Sequence, residues 1–189
     1  NDRTEFTEGK VKLKIRGLSL IQATTPEYAK GCLKKAVEII FEKGEEVAVK
    51  EHFEKWKEGF KQLPFEEVSM PRGVNTFNKF LHNPKGAGAH VRAAMKYNKL
   101  VEEHQISDRY RPIVEGDKIR FAYIKQPNYF AYDVMAVLSS WPKEFEGKCE
   151  VDWDVQWEKV FGSAMKSIFD CIGWRMDNTV EDCSIASLF

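Results

Sequence analysis

The chain has 189 residues, of which 29 are basic, 29 are acidic and 43% are hydrophobic, with thirteen Phe and five Trp. This composition predicts a folded domain, or one domain with an appendage, and excludes a disordered chain. No stretch approaches the ~20 apolar residues of a membrane helix and no signal peptide is present, so no membrane partner is expected. The four cysteines form no CxxC pair, which argues against a zinc site and favours a reducing compartment. The chain begins with Asn1 instead of Met, which predicts a piece or a trimmed product of a longer protein.

The first predicted element is a strand over residues 10–16, "KVKLKIR". Basic and aliphatic residues alternate there with period two, which places them on opposite faces of a strand. An edge strand with a solvated basic face and a strand that faces a partner both fit this pattern. The four residues on the basic face are Lys10, Lys12, Lys14 and Arg16.

Two amphipathic helices are predicted next. In the first, Thr25 is placed as the N-cap, Pro26 at the first helical position and Gly44 after the last turn. The second lies within residues 45–63 and is broken by Pro64. Their apolar stripes predict an antiparallel hairpin whose charged outer faces, with His52 beside the stripe, are solvated.

Residues 71–99 contain six basic residues and no Asp or Glu. Residues 71–86 are rich in Pro, Gly and Asn and are predicted to form loops or turns. A helix is predicted from Ala87 to His104, with three basic residues at i, i+4 and i+7 on one carboxylate-free face: Arg92, Lys96 and Lys99. Spread positive charge without nearby acids suits the phosphate backbone of a duplex, so this stretch is a candidate DNA-binding surface.

The C-terminal part is predicted to contain two short strands and a long helix. The strands lie in residues 117–125 and 132–138, around a turn at Pro127 and Asn128. The helix runs over residues 154–172, is capped by Asp152 or Asp154, stops at Gly173, and places Lys159, Ser163 and Lys166 on one face. The predicted fold class is therefore α+β, mainly α-helical, with a small β element.

Catalytic residues are hard to find in this sequence. Asp152 and Asp154 form the only close carboxylate pair, and helix capping explains them better than metal-dependent phosphoryl transfer does. The histidines near the basic stretch, namely His82, His90 and His104, accompany no nucleophile pattern and no HExxH motif. The residues alone therefore indicate a binding module with no catalytic, metal or cofactor site.

Five segments of the chain, taken in order, resemble the C-terminal end of the replicative family B DNA polymerases of T-even-like phages. They are "KVKLKIRGLSLIQATTPEYAK", "MPRGVNTFNKF", "AHVRAAMKYNKL", "VEGDKIRFAYIKQPN" and the terminal "ASLF". The resemblance implies that residues 1–24 end the palm with a basic strand. It further implies that residues 25–180 form a helical thumb with a small β insertion, and that residues 181–189 form a partial sliding-clamp-binding peptide.

The resemblance also implies roles for individual residues. Arg92 matches a family arginine that contacts phosphate, and Lys159 matches a basic residue of the last thumb helix. Ser163 stands where related polymerases can place a second lysine, and Lys166 is expected to replace it. With the basic helix face added, the predicted DNA-binding set is Lys12, Lys14, Arg72, Gly73, Asn75, Lys79, Phe80, Arg92, Lys96, Lys99, Lys159 and Lys166. The predicted clamp-binding residues are Ser187, Leu188 and Phe189.

The function implied is that of a thumb fragment or subunit of a phage DNA-directed DNA polymerase, which binds primer–template duplex DNA during replication in the cytoplasm of the infected bacterium. The catalytic aspartates and their Mg²⁺ would belong to an upstream polypeptide that carries the exonuclease and palm, so this chain alone is expected to be inactive. The alternative is a free-standing, non-catalytic helical module that binds DNA or a protein partner. Amide exchange over residues 10–17 would separate the two, because only a thumb cut from its palm exposes the apolar face of that strand.

Overall fold

The computed structural model describes residues 5–7, 10–12, 23–81 and 86–174, with the backbone alone for the first two ranges. About half of this part is helical. The main helices are α1 (Glu27–Lys43), α2 (Glu46–Phe60), α3 (Phe65–Val68), α4 (Phe77–Phe80), α5 (Ala89–Glu103), α6 (Trp153–Trp157) and α7 (Ser163–Ile172). The strands are β1 (Glu5–Thr7), β2 (Lys10–Lys12), β3 (Met70–Gly73), β4 (Lys118–Tyr123) and β5 (Val134–Val137). The predicted α+β class is confirmed.

Helices α1 and α2 pack as the predicted antiparallel hairpin. Near the open end, the rings of Tyr28 and Trp56 lie 4.6 Å apart and the Tyr28 hydroxyl donates to the Trp56 carbonyl at 2.9 Å. Closer to the connection, Nε2 of His52 lies 2.9 Å from the Cys32 carbonyl oxygen. His52 is thus half-buried between the helices and does not lie on a solvated outer face.

The two ends of α1 differ in how well their sequence signals predicted them. Gly44 ends the helix with φ 64° and donates its N–H to Ile40, as predicted, because this left-handed conformation favours glycine. The prediction that Thr25 is the N-cap is wrong. Pro26 holds the N-cap position in an extended conformation with no side-chain hydrogen bond, and the helix begins at Glu27.

A three-stranded antiparallel sheet has the order β3-β4-β5. Strand β3 pairs Arg72 with Ile119 and Gly73 with Lys118 at one edge, and α5 packs against the sheet. The prediction of loop or turn over residues 71–86 is therefore wrong in part, since β3 and α4 lie within it. Pro71 and Gly73 indicate a turn by local pattern, but an edge strand tolerates both when a long-range partner is present.

The connection from β4 to β5 contains the predicted turn at Pro127 and Asn128. The peptide bond before Pro127 is cis. The side-chain amide of Asn128 donates to the Lys125 and Tyr132 carbonyls at 2.8 and 2.6 Å, which closes the turn.

The last predicted helix forms in two α-helical parts, α6 and α7, joined by a π-helical turn over Glu158–Gly162. Asp152 caps α6 by accepting the N–H of Val155 at 3.1 Å, and Gly173 ends α7 with φ 74°. Phe60 of α2 contacts three aromatic rings of this segment edge-on, those of Trp153, Trp157 and Phe161. This aromatic cluster packs the last helix against the hairpin. Across the described ranges, no helix has the length and apolar character needed to cross a membrane.

Candidate nucleic-acid interface

A cleft of about 180 Å³ lies where the chain entering α1, strand β3 and the π-helical turn meet. Two of the predicted DNA-binding residues, Arg72 and Lys159, line it from different elements. Thr25 and Ser163 add hydroxyl groups to the same lining. The structure therefore brings together basic and polar side chains that are far apart in the sequence.

Within the described part of the chain, no carboxylate pairs with the two basic side chains of this cleft. Arg72 and Lys159 are both exposed. Among the residues that the structure describes, neither has an ion-pair partner. Lys159 Nζ lies 5.9 Å from the ring centroid of Tyr123, an aromatic face that tolerates a cation. An anion can therefore bind in the cleft without breaking an ion pair between described residues.

Gln156, three residues before Lys159, is completely buried and bonds to the chain on both sides of the cleft's strand region. Its Nε2 donates to the Val68 carbonyl at 2.7 Å, and its Oε1 accepts the Tyr123 N–H at 2.9 Å. Val68 ends α3, two residues before β3, and Tyr123 ends β4. Gln156 thus ties the last helix to the end of α3 and to β4, two residues before the π-helical segment that carries Lys159.

The positive region continues from Arg72 to the beginning of α5. The pKa of His90, in the first turn of α5, is lowered by burial first and then by the positive charge of Arg72. Helix α5 begins after Gly88, without a side-chain cap and without an acidic residue in its first turn. The free N–H groups and the dipole of a helix N-terminus favour negative charge. They add to the field of Arg72.

The basic face of α5 is not free of carboxylates, which corrects the expectation from the sequence. Arg92 Nη2 lies 2.9 Å from Oδ2 of Asp133, and Lys96 forms an ion pair with Oδ1 of the same carboxylate. Burial alone would raise the pKa of Asp133, but the hydrogen bonds from Lys96 and Arg92 lower it overall. Asp133 directly precedes β5 and comes from outside residues 71–99, so the local sequence pattern did not reveal it.

Two further predicted lysines pair with carboxylates on their own helices. Lys99 lies 3.6 Å from Glu103 and Lys166 lies 3.4 Å from Asp170, both at i, i+4 and both exposed. Ser163 lines the cleft with Lys159, whereas Lys166 is not part of its described lining. Lys159 lies within the π-helical turn, whereas Ser163 and Lys166 both lie on α7.

The predicted loop contacts lie at the exposed end of β3 and in α4. Arg72, Gly73, Asn75 and Lys79 are exposed. Phe80 is half-buried and packs against the core, while Lys79 lies 5.5 Å from its ring. Phe80 therefore has a structural role in addition to any contact with a ligand.

Several predicted site residues cannot be placed in the interface. Lys12 belongs to β2, whose backbone pairs it with Glu5 of β1, and its side chain is not described. Residues outside the described ranges are Lys14, Ser187, Leu188 and Phe189.

The described residues were searched for metal ligands and reactive thiols. No group of three or more His, Cys, Asp or Glu side chains able to hold a metal ion occurs within residues 23–81 and 86–174. Burial raises the pKa of the Cys32 thiol to about 12. Burial, with a contribution from Glu150, raises that of Cys149 to about 12. Both thiols stay protonated at neutral pH and are poor nucleophiles.

Comparison with known proteins finds a sequence relative of this chain. The chain is 25% identical over 148 residues to the DNA-directed DNA polymerase of Enterobacteria phage T4, an alignment that covers 76% of this chain and 15% of the polymerase. The predicted resemblance to a phage DNA polymerase is confirmed. The chain spans about 15% of the length of the polymerase that it matches.

A solved structure also matches the chain. The family B DNA polymerase from the hyperthermophilic archaeon Pyrobaculum calidifontis matches with a TM-score of 0.47 and 16% sequence identity, covering 85% of this chain and 19% of that one. No protein-family model matches the chain.

Proposed function

We propose that this chain is the thumb of a phage-type DNA-directed DNA polymerase and binds primer–template duplex DNA through its phosphates. The observation that carries the proposal is the shared cleft of Arg72 and Lys159, whose charges have no internal partner among the described residues. The beginning of α5 extends the positive region beside Arg72. Such a surface replaces the counterions of a duplex and holds it in place.

Phosphate contacts suit a polymerase that must advance along any sequence. Contacts to phosphates fix the position of the duplex but carry no direct information about its bases. The exposed basic residues of β3, α4 and the π-helical turn would therefore grip the product duplex equally well after each nucleotide addition. This supports a role in processivity and in holding the primer terminus.

The similarity to the phage T4 polymerase supports the wider assignment. Because this chain spans about 15% of that protein, the catalytic carboxylates and their Mg²⁺ are assigned to an upstream polypeptide that carries the exonuclease and palm. Residues 1–24 would complete that palm. Residues 181–189 would begin a peptide for the sliding clamp, and the assembly would act in the cytoplasm of the infected bacterium.

The first test is duplex binding by the full chain, followed by fluorescence anisotropy over a range of salt concentrations. Two labelled duplexes of unrelated sequence are expected to bind equally well, with an affinity that falls steeply as salt rises. The double variant Arg72→Ala/Lys159→Ala is expected to lower the salt slope by about two. The matched control is Lys35→Ala, which removes a basic side chain of α1 that pairs with Glu38. This variant should leave the salt slope nearly unchanged. A strong preference for one duplex would contradict the proposal.

The second test is primer extension by this chain mixed with a polypeptide that carries a family B exonuclease and palm. Extension by the mixture, with none by either component alone, is expected of a thumb supplied on a separate chain. If a cognate and correctly folded partner gives no extension, the polymerase assignment fails. The alternative hypothesis, a free-standing module that binds duplex DNA, would then be the remaining explanation.

A further inference from the structure

The carboxylate of Asp133 is held by two basic side chains of α5, each on a different oxygen. Arg92 binds Oδ2 through Nη2 at 2.9 Å, and Lys96 binds Oδ1. Arg92 and Lys96 stand one helical turn apart, so they converge on a single anionic group from the same helix. An arginine and a lysine that bind two oxygens of one anion are equally suited to two oxygens of a phosphate.

The geometry allows the carboxylate to leave without disturbing its surroundings. The backbone of Asp133 is fixed, since its carbonyl accepts the Ile124 N–H at 3.0 Å, so only its side chain must rotate. Arg92 also donates to the Ala87 carbonyl at 3.2 Å, and Lys96 Nζ lies 4.8 Å from the ring centroid of Tyr132. Both cations therefore keep a second contact when the carboxylate moves away.

The ion pairs are also accessible to water. The side chains of Arg92, Lys96 and Asp133 are 37%, 22% and 46% exposed. Water and salt compete effectively for ion pairs of this kind, and their net contribution to stability is small. An incoming phosphate therefore has access to both cations. Breaking the two ion pairs to Asp133 costs it little free energy.

We propose that Asp133 is an internal competitor of DNA: its carboxylate occupies Arg92 and Lys96 in the free chain, and a backbone phosphate displaces it when the duplex binds. This inference rests on the proposed function and adds regulation to the same surface. With Asp133 in place the three side chains carry one net positive charge instead of two, which weakens attraction to any stray anion. The phosphate displaces the carboxylate only where the other protein–DNA contacts hold the duplex close.

The variant Asp133→Asn tests the competition, because it removes the charge and keeps the shape. Duplex affinity of the full chain is expected to rise several-fold at low salt, with a salt slope steeper by about one. Glu38→Gln on α1 removes the same charge from an ion pair outside the predicted interface and should produce neither effect. Asp133→Glu keeps the charge and is expected to bind like the wild type.

A combination of variants shows whether Asp133 acts through its two partners. In an Arg92→Ala/Lys96→Ala background, Asp133→Asn is expected to have no further effect on affinity or slope. A gain that persists in that background would overturn the proposal, as would weaker or unchanged binding by Asp133→Asn alone. Salt-independent or absent binding by the wild type and every variant would instead contradict the proposed function.

A measurement on the unaltered chain covers the case in which the variants fold poorly. The ¹³C resonance of the Asp133 carboxyl is expected to move on addition of a short duplex, as the carboxylate leaves Arg92 and Lys96. The carboxyl resonance of Glu38, which pairs with Lys35 on α1 outside the predicted interface, serves as the internal reference. A wild-type chain that binds duplex while the Asp133 resonance stays in place would overturn the competition and leave duplex binding intact.

Discussion

Gln156 donates a 2.7 Å hydrogen bond to the carbonyl of Val68, which joins the last helix to the chain entering β3. The same side chain accepts the Tyr123 N–H at 2.9 Å through its other end. A completely buried amide with both ends satisfied holds its neighbours in one arrangement, because any displacement leaves a polar group unpaired. This contact lies three residues before Lys159 on one side and four residues before Arg72 on the other.

Replacing Gln156 with Leu is expected to destabilise the fold by about 2–4 kcal/mol, since the Val68 carbonyl and the Tyr123 N–H both lose their partner. Urea unfolding followed by circular dichroism measures this loss. Gln62→Leu, at an exposed position after α2, is the control and should change the free energy of unfolding by less than about 0.5 kcal/mol. Equal stability of the two variants would show that the buried amide is dispensable.

The elements that the sequence predicted well are those with local signals. Gly44 and Gly173 end their helices in the left-handed conformation that glycine adopts most easily, and Asp152 caps α6 as one of two candidates. Apolar spacing, together with local Pro and Gly signals for α1 and α2, located α1, α2 and α5. Each of these signals lies within a few residues of the feature that it predicts.

The features that the sequence did not predict depend on distant partners. Strand β3 contains a proline and a glycine and forms because Arg72 and its neighbours pair with β4. Asp133 meets Arg92 only after the sheet has packed against α5. The π-helical turn over Glu158–Gly162, which carries Lys159, also has no local signal in the sequence.

The pKa of His90 depends on the charge of Arg72. Its pKa lies below the usual 6.5 because of burial first and Arg72 second, so Arg72→Ala is expected to raise it while leaving it below 6.5. Nuclear magnetic resonance of the imidazole during a pH titration measures this change. Since the unfolded chain binds the proton more readily, the free energy of unfolding should fall as pH drops below 6.5, and less so in Arg72→Ala. Arg72→Lys keeps the charge and should leave the titration near that of the wild type.

Asp117 makes the free energy of unfolding depend on pH in the acidic range. Arg111 binds both of its oxygens, at 2.8 and 2.9 Å, and the Val114 N–H adds a bond at 2.8 Å. The pKa of Asp117 falls from 3.8 to about 2, chiefly through the hydrogen bond from Arg111 and then that from Val114. Because the folded pKa is depressed, this stabilisation is complete above about pH 4 and is lost as pH falls toward 2.

The variant Asp117→Asn isolates that contribution. Its free energy of unfolding should be lower than that of the wild type above about pH 4, and the difference should shrink as pH falls from 3.8 to about 2. Urea unfolding at a series of pH values gives the two curves. A difference that stays constant down to pH 2 would show that the loop is held by hydrogen bonds that do not need the charged carboxylate.

Lys159 and Lys166 have equivalent positions in the sequence pattern but different positions in the structure. Lys159 lines the cleft opposite Arg72 without a carboxylate partner in the described chain, whereas Lys166 lies 3.4 Å from Asp170 on α7. Lys159→Ala is therefore expected to weaken duplex binding several-fold and to lower the salt slope by about one, while Lys166→Ala changes both much less. Fluorescence anisotropy on two unrelated duplexes measures both variants under the same salt series. Equal losses would mean that the duplex contacts the whole length of the last helix. The cleft would then contribute no more to duplex binding than the rest of that helix.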